Sequence, residues 1–413
     1  MAGRKVALLV VGLVLLSGCW SDPWGDADRS KYDATQTAIT QANAGTLHRL
    51  WTVHLDAGPA RDAVQTNAGL AVNDDRNAYG ISLSGQRLWT WTSLGTVGPV
   101  FGSSGTVLIP LAGASIASER TDQVDAATGL TIAPSTGRIL ARRGDVQGRW
   151  STFNFAGSPV PLLRVQNVQT SAAWAGAWCC GTLPPVTVGT KWLYHAGEGP
   201  ISDETMTANG VRGLDLVTPV WMVGLGPSPG RPGVLGTSWY VPTDGTTAVP
   251  PVLNPTESVV YTGTDAGTVY AVDADAHTVL WSASLGTAVT ASPALAGSRL
   301  YVPTASGDLV VLDARGCGAA TCDPLWVGRT GSELTVQPAV SGASRPTTPS
   351  NGLVYTGSAN GEMRAYPANG CGAEECTALW SDTARSRISG GPSLFADKVF
   401  YGTADGDVLA FAP

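Results

Sequence analysis

Short apolar runs recur through the second half of the chain, separated by Gly-containing turns and too brief for helices. In the clearest unit, Val259-Val260-Tyr261-Thr262-Gly263 leads through a turn to Thr268-Val269-Tyr270-Ala271-Val272-Asp273 and ends at Leu280-Trp281. The same order returns from Leu300 to Asp313 with Leu325-Trp326, and from Leu353 to Tyr366 with Leu379-Trp380. A further copy runs from Val399 to Phe411. Each unit reads as two strands around a turn. Asn360-Gly361 and Asp405-Gly406 predict type I′ hairpins, with φ > 0 at both turn positions. Ahead of three units stands a short run with a proline, as in Ser292-Pro293-Ala294-Leu295, Gln337-Pro338-Ala339-Val340 and Gly391-Pro392-Ser393-Leu394. Pro cannot donate to a ladder, so it suits the start or edge of a strand. With the Leu-Trp strand this makes four strands per unit, and such units at a spacing of ~40–50 residues are β-propeller blades.

The first half carries the pattern faintly. Leu88-Trp89 closes one unit, and Val211-Arg212-Gly213-Leu214-Asp215 leading to Val220-Trp221 closes another. Ala133-Pro134-Ser135-Thr136-Gly137 through Ala141 reads as the same turn with its Trp replaced, and a degenerate blade falls within 146–190. The last unit stops at Phe411 without a Leu-Trp strand, whereas Leu50-Trp51-Thr52-Val53 is such a strand with no hairpin before it. Placing the first in the last blade pairs both open edges and closes the ring. Eight blades fit the length at about 46 residues each, with seven as the alternative.

Composition agrees with an all-β chain: of 413 residues, 51 are Gly and 27 Pro, and 43% are hydrophobic, enough for a core. A net charge of −7 with no basic run past residue 5 excludes a nucleic-acid partner, which requires a cationic face. It also excludes adhesion to anionic lipid by charge alone.

A different device for reaching a membrane stands at the start. Arg4 and Lys5 precede an apolar run from Val6 to Leu16, followed by Ser17-Gly18-Cys19. At 1.5 Å per residue that run is too short to span a ~30 Å hydrocarbon core, and it reads as an export signal, residues 1–18. Leu16-Ser17-Gly18-Cys19 resembles the lipobox of bacterial lipoproteins, which implies diacylglycerol on Cys19. Two acyl chains give stable anchoring where one is marginal. Residues 19–45 are mostly polar and read as a lipidated tether, leaving the propeller to residues 46–413.

The repeat resembles that of pyrroloquinoline-quinone enzymes and their relatives, in which a strand enters Ala-Val-Asp, turns, and ends at Leu-Trp. The resemblance covers roughly residues 45–413 and is strong after about 210. With the lipobox, the whole is similar to the outer-membrane protein assembly lipoprotein B family. That likeness implies a cofactor-free scaffold, a monomer that binds another envelope protein from the outer face of the cell membrane, or from the outer membrane of a Gram-negative cell.

Candidate chemistry is sparse. Cys317 with Cys322 and Cys371 with Cys376 occupy equivalent places in two repeats and, in an exported chain, predict local disulfides that hold a hairpin tip. Cys179-Cys180 resembles the adjacent-cysteine disulfide that lies against the quinone in quinoprotein alcohol dehydrogenases, though no acidic residue follows it. It is the only candidate here for cofactor binding, and a structural disulfide is its other reading. His48, His54, His195 and His277 lack metal-ligand spacing and read as surface residues. Gly226-Pro227-Ser228-Pro229-Gly230 matches a nucleophile-elbow pattern but lacks the following helix, and Asp273-Ala274-Asp275 reads as a turn rather than a calcium loop. No catalytic or metal-binding set emerges. The expectation is therefore a binding module working through loops such as 113–130 and 146–210, with 196–209 foremost. A dehydrogenase using pyrroloquinoline quinone and calcium is the alternative. A sensor or carbohydrate-binding propeller, suggested by 14 Trp, is the third reading.

Overall fold

The computed structural model describes residues 30–103, 105–112, 120–136, 138–143, 146–155, 158–167, 173–177, 186–189, 192–198, 220–227, 235–246, 249–342 and 351–413. Their strands form eight sheets. Seven follow one another along the chain, in the order first strand to fourth, as blades 1 to 7. The eighth takes Ile388–Phe395, Lys398–Thr403 and Asp407–Ala412 from the end of the chain and His48–His54 from its beginning. The pairing expected of the Leu50-Trp51 strand with the last unit is thus realised as an antiparallel ladder, with Thr52 opposite Leu409 and His54 opposite Asp407.

Alternation sets the radial order. The first strands, such as Ala294–Ala296 and Ala339–Ser341, are buried throughout, whereas the last strands, such as Thr278–Ser284, are mostly exposed. First strands therefore line the axis and fourth strands form the rim. At the hairpin between second and third strands, Gly267, Gly307, Gly361 and Gly406 have φ between 85° and 94° while Asn360 and Asp405 do not share it. The expected type I′ turn is replaced by a turn with one left-handed residue. Its geometry is fixed by a hydroxyl: Thr264, Thr304 and Thr403 each accept the N–H four residues on, at 3.1, 3.0 and 2.9 Å.

Among the described residues tryptophan joins several blades to the next. Trp281 of blade 5 lies under Gly316 of blade 6, Trp326 under Gly370 of blade 7, Trp51 of blade 8 under Gly85 of blade 1, and Trp89 under Gly129 of blade 2. A Cβ on Gly316 would meet the Trp281 ring at 2.7 Å, and its φ of 88° already disfavours a side chain. At some joints the indole N–H adds a bond, as Trp89 donates to the Ala126 carbonyl at 2.8 Å. The repeated Leu-Trp is therefore an inter-blade dock, with its Leu left about two-fifths exposed on the rim (Leu50, Leu88, Leu325).

Three expectations need correction. Val220-Trp221 begins the third strand of blade 4, Val220–Pro227, and the docking Trp of that blade is Trp239 on Leu235–Thr243. The rest of that reading, Val211 to Asp215, lies outside the described residues. Ala133 to Ala141 is the crossing from the last strand of blade 2, Thr131–Thr136, to the first of blade 3, Arg138–Arg143. The hairpin turn sits earlier, where Asp125 accepts the Thr128 N–H. Lastly, the polar tether does not extend to residue 45. From Ser30 onward it is packed on the propeller, with Tyr32, Ile39, Ala44 and Leu47 buried. A polar composition hid this because the docking runs largely through main-chain groups.

Candidate functional site

Residues 30–33 lie inside the ring. Tyr32–Asp33 pairs in parallel with Val340 and Ser341, on the axis side of the first strand of blade 7. The Leu295 N–H of blade 6 donates to the Ser30 carbonyl at 2.8 Å, and the Val340 N–H to that of Lys31 at 2.9 Å. Lys31 adopts φ 54°, which turns its side chain toward blades 8 and 1. Its ammonium, 1% exposed, meets Asp62 at 2.9 Å, and the same carboxylate accepts the Gly391 N–H at 2.7 Å. A buried charge persists only with such a partner. Tyr32 donates to the Gly342 carbonyl at 2.8 Å and packs in the cluster of Tyr301, Val340 and Val354. Beyond Asp33 the segment crosses one face, where Gln36 donates to the Lys398 carbonyl and Gln41 to that of Gly352. Neither Lys31 nor Asp62 stands in a motif, so nothing in the sequence marked them.

A polar hub flanks the seam between blades 8 and 1. Asp74 accepts from the Tyr79 hydroxyl, from Asn77, and from the N–H groups of Ala57 and Arg76. Burial alone would raise the pKa of this carboxyl, but the Tyr79 hydroxyl and the surrounding N–H donors outweigh it and hold the value below 3.8. Tyr79 moves the other way, raised by burial and by its bond to Asp74. Such a carboxylate organises a turn and a joint, with its acceptor capacity engaged.

The predicted residues fall in separate places. Cys317–Cys322 and Cys371–Cys376 form disulfides with Cα atoms 5.6 and 5.7 Å apart. They do more than hold a tip, because each loop reaches back over the rim strand of the preceding blade. Ser282 of blade 5 donates to the Ala320 carbonyl and accepts from the Cys322 N–H, while Glu375–Cys376 pairs in parallel with Val327 and Gly328 of blade 6. Cys19, Cys179 and Cys180 lie outside the described residues, as do 113–119, 199–219 and 228–230. His54 bonds Asp407 on the rim at 2.9 Å, and His48 meets the Thr46 carbonyl. His195 is paired through its backbone with Val186 and Val223. His277 is not a simple surface residue. It takes a left-handed turn conformation and stacks on Trp239, rings 4.9 Å apart at 13°, filling a joint that uses Gly elsewhere. Asp273 accepts the Ala276 and Asp275 N–H groups, which lower its pKa, as a turn residue would.

Residues 236–413 match the family model described as outer membrane protein assembly factor BamB. No curated protein sequence matches the chain. Among solved structures, BamB from Moraxella catarrhalis superposes with a TM-score of 0.54 at 14% identity, covering 89% of this chain and 98% of its own. The chain carries a PQQ-like propeller similar to that of BamB. The same fold appears in a europium-containing methanol dehydrogenase, TM-score 0.66 at 11% identity over 96% of this chain and 98% of that one. It appears again in quinohemoprotein alcohol dehydrogenase from Comamonas testosteroni, TM-score 0.60 at 13% identity over 95% and 80%. At these identities the likeness concerns the fold.

The enzymes raise the question of whether a quinone would fit. Pyrroloquinoline quinone is a planar tricarboxylate that requires cations opposite its carboxylates, and its calcium requires clustered oxygen ligands. Among the described residues no three His, Cys, Asp or Glu side chains are grouped to hold a metal ion. Lys31, a cation at the axis, is paired with Asp62. The described residues therefore do not form such a site. No helix among them is long and apolar enough to cross a membrane.

Proposed function

We propose that this chain is an exported lipoprotein, anchored through Cys19, whose propeller is a non-enzymatic binding module for another envelope protein. The observation that carries the reading is the similarity of residues 236–413 to assembly factor BamB. The polar side chains of the repeats support it, since Thr264, Thr304, Thr403 and Asp273 are engaged in turns rather than grouped for chemistry. A propeller with such a framework keeps its loops available for recognition. Crosslinking in intact cells tests this: one predominant envelope protein should be joined to the chain, and recovery of the chain alone would refute the module. Replacement of Cys19 by Ala should release the protein from the membrane fraction.

The alternative, a quinoprotein dehydrogenase, is favoured by the likeness to methanol dehydrogenase over 96% of this chain and by the adjacent Cys179 and Cys180. Titration with pyrroloquinoline quinone and Ca²⁺, followed by dye reduction with alcohols and sugars, separates the two readings. Turnover would replace the first reading with the second, and no saturable binding would end the second.

A further inference from the structure

The segment at the axis is foreign to the repeat. Among the described residues every other strand next to the axis belongs to a blade, whereas Tyr32–Asp33 is an added strand from outside the four-strand pattern. What holds it has two components. Main-chain donors come from blades 6 and 7: Leu295, Val340 and Gly342 give their N–H groups to the carbonyls of Ser30, Lys31 and Asp33, at 2.8, 2.9 and 3.3 Å. Side-chain recognition comes from blades 1 and 7, as Asp62 meets the Lys31 ammonium and the Gly342 carbonyl accepts from the Tyr32 hydroxyl. Asp62 is itself aimed by the Gly391 N–H of blade 8. Main-chain ladder bonds for affinity with pockets for particular side chains are how folded domains take up an extended peptide.

We propose that this axial groove is a receptor site for an extended peptide carrying lysine followed by an aromatic residue, occupied in the isolated chain by its own residues 30–33. The Asp62 carboxylate selects the lysine, and the Tyr301–Val354 cluster takes the aromatic ring. The internal copy is tethered through residues 34–47, so it acts at high effective concentration and keeps the groove closed to weak competitors. A partner's strand with the same two anchors enters when the internal copy is weakened or pulled away. The proposal goes beyond the envelope-module reading, because a partner could dock on the loops with the axis closed.

Lys31→Ala in the full mature chain tests it, with Lys31→Met as a second variant that keeps the aliphatic stem. The probe is a fluorescein-labelled synthetic peptide of residues 27–36, followed by anisotropy, with hydrogen exchange read at Leu295, Val340 and Gly342. In both variants those amides should exchange at least about tenfold faster than in the wild type. The peptide should bind the variants saturably and the wild type at least about tenfold more weakly. A peptide with Ala at the lysine position should lose that binding, as should adding Asp62→Asn to the Lys31→Ala protein. If the amides stay as slow as in the wild type, Lys31 does not hold the segment and the proposal fails. Faster exchange without peptide binding would show a packed arm rather than a receptor, and would equally overturn it.

Discussion

The rim of blades 5 and 6 and the seam between blades 8 and 1 solve one problem in opposite ways. At the rim, exposed strand edges are covered by a loop from the next blade, latched by a disulfide between residues five apart in sequence. Covering an edge removes a template for unwanted pairing. At the seam the closing parts come from the two ends of the chain: outside, His48–His54 pairs with Asp407–Ala412, and within, Asp62 holds Lys31 and accepts the Gly391 N–H. The first device is local and covalent, the second long-range and non-covalent. The difference teaches that a propeller can finish a blade with its own next turn but cannot close its ring that way. Closure has to wait for residues more than 330 positions apart, such as Trp380 and the Leu47 carbonyl, to meet.

The largest loss is expected at a Trp dock. Trp281→Ala should destabilise the protein by about 3–5 kcal/mol, read as a lower denaturant midpoint, because the ring is 2% exposed and Gly316 cannot fill the space. A midpoint within error of the wild type would mean the joints do not hold the blades. Next comes the seam. Lys31→Met should cost about 2–3 kcal/mol, below the cost of breaking a fully buried pair, because Asp62 remains 24% exposed and keeps its Gly391 donor. Thermal melts of this variant beside Asp62→Asn would place both losses on one pair if the double variant is less than additive.

Replacing Cys317 and Cys322 together by Ser should cost at most about 2 kcal/mol, the loop being so short. Faster hydrogen exchange at the amide of Ser282 should accompany it, and unchanged exchange would deny that the disulfide latches the cap. The smallest effect is acid sensitivity at the seam. Asp74 has a folded pKa below its ordinary 3.8, so its contribution is complete above the unfolded value and is lost as pH falls through the folded one. Acid unfolding curves of Asp74→Asn should therefore fall short of the wild type at neutral pH and begin to approach it only as pH drops below about 3.8. A constant gap at all pH values would contradict the assignment.

Much of the fold was legible because a repeat multiplies a weak signal. Leu280-Trp281, Leu325-Trp326 and Leu379-Trp380 recur where the packing demands them, and the unpaired Leu50-Trp51 pointed to closure. Where the repeat decayed, the reading slipped. Trp239 replaces the expected Trp without its Leu, and His277 replaces a Gly, so the joint between blades 4 and 5 carries no recognisable signature. The candidate site was less legible still. Lys31 and Asp62 are single polar residues in unremarkable stretches, thirty-one positions apart, and acquire meaning only when blade 1 returns beside blade 8.

The all-β class, the four-strand repeat, the Leu-Trp strands of the regular repeats and the paired cysteines could all be read from the sequence. Each is written in short-range pattern: alternation, turn glycines and spacing. The single left-handed residue of the hairpins, the reach of the disulfide loops over the preceding blade and the docking of residues 30–47 emerge with the folded ring. Those features depend on which main-chain N–H and C=O groups meet across the ring. A backbone donor is the same in every residue but proline, so composition cannot announce it.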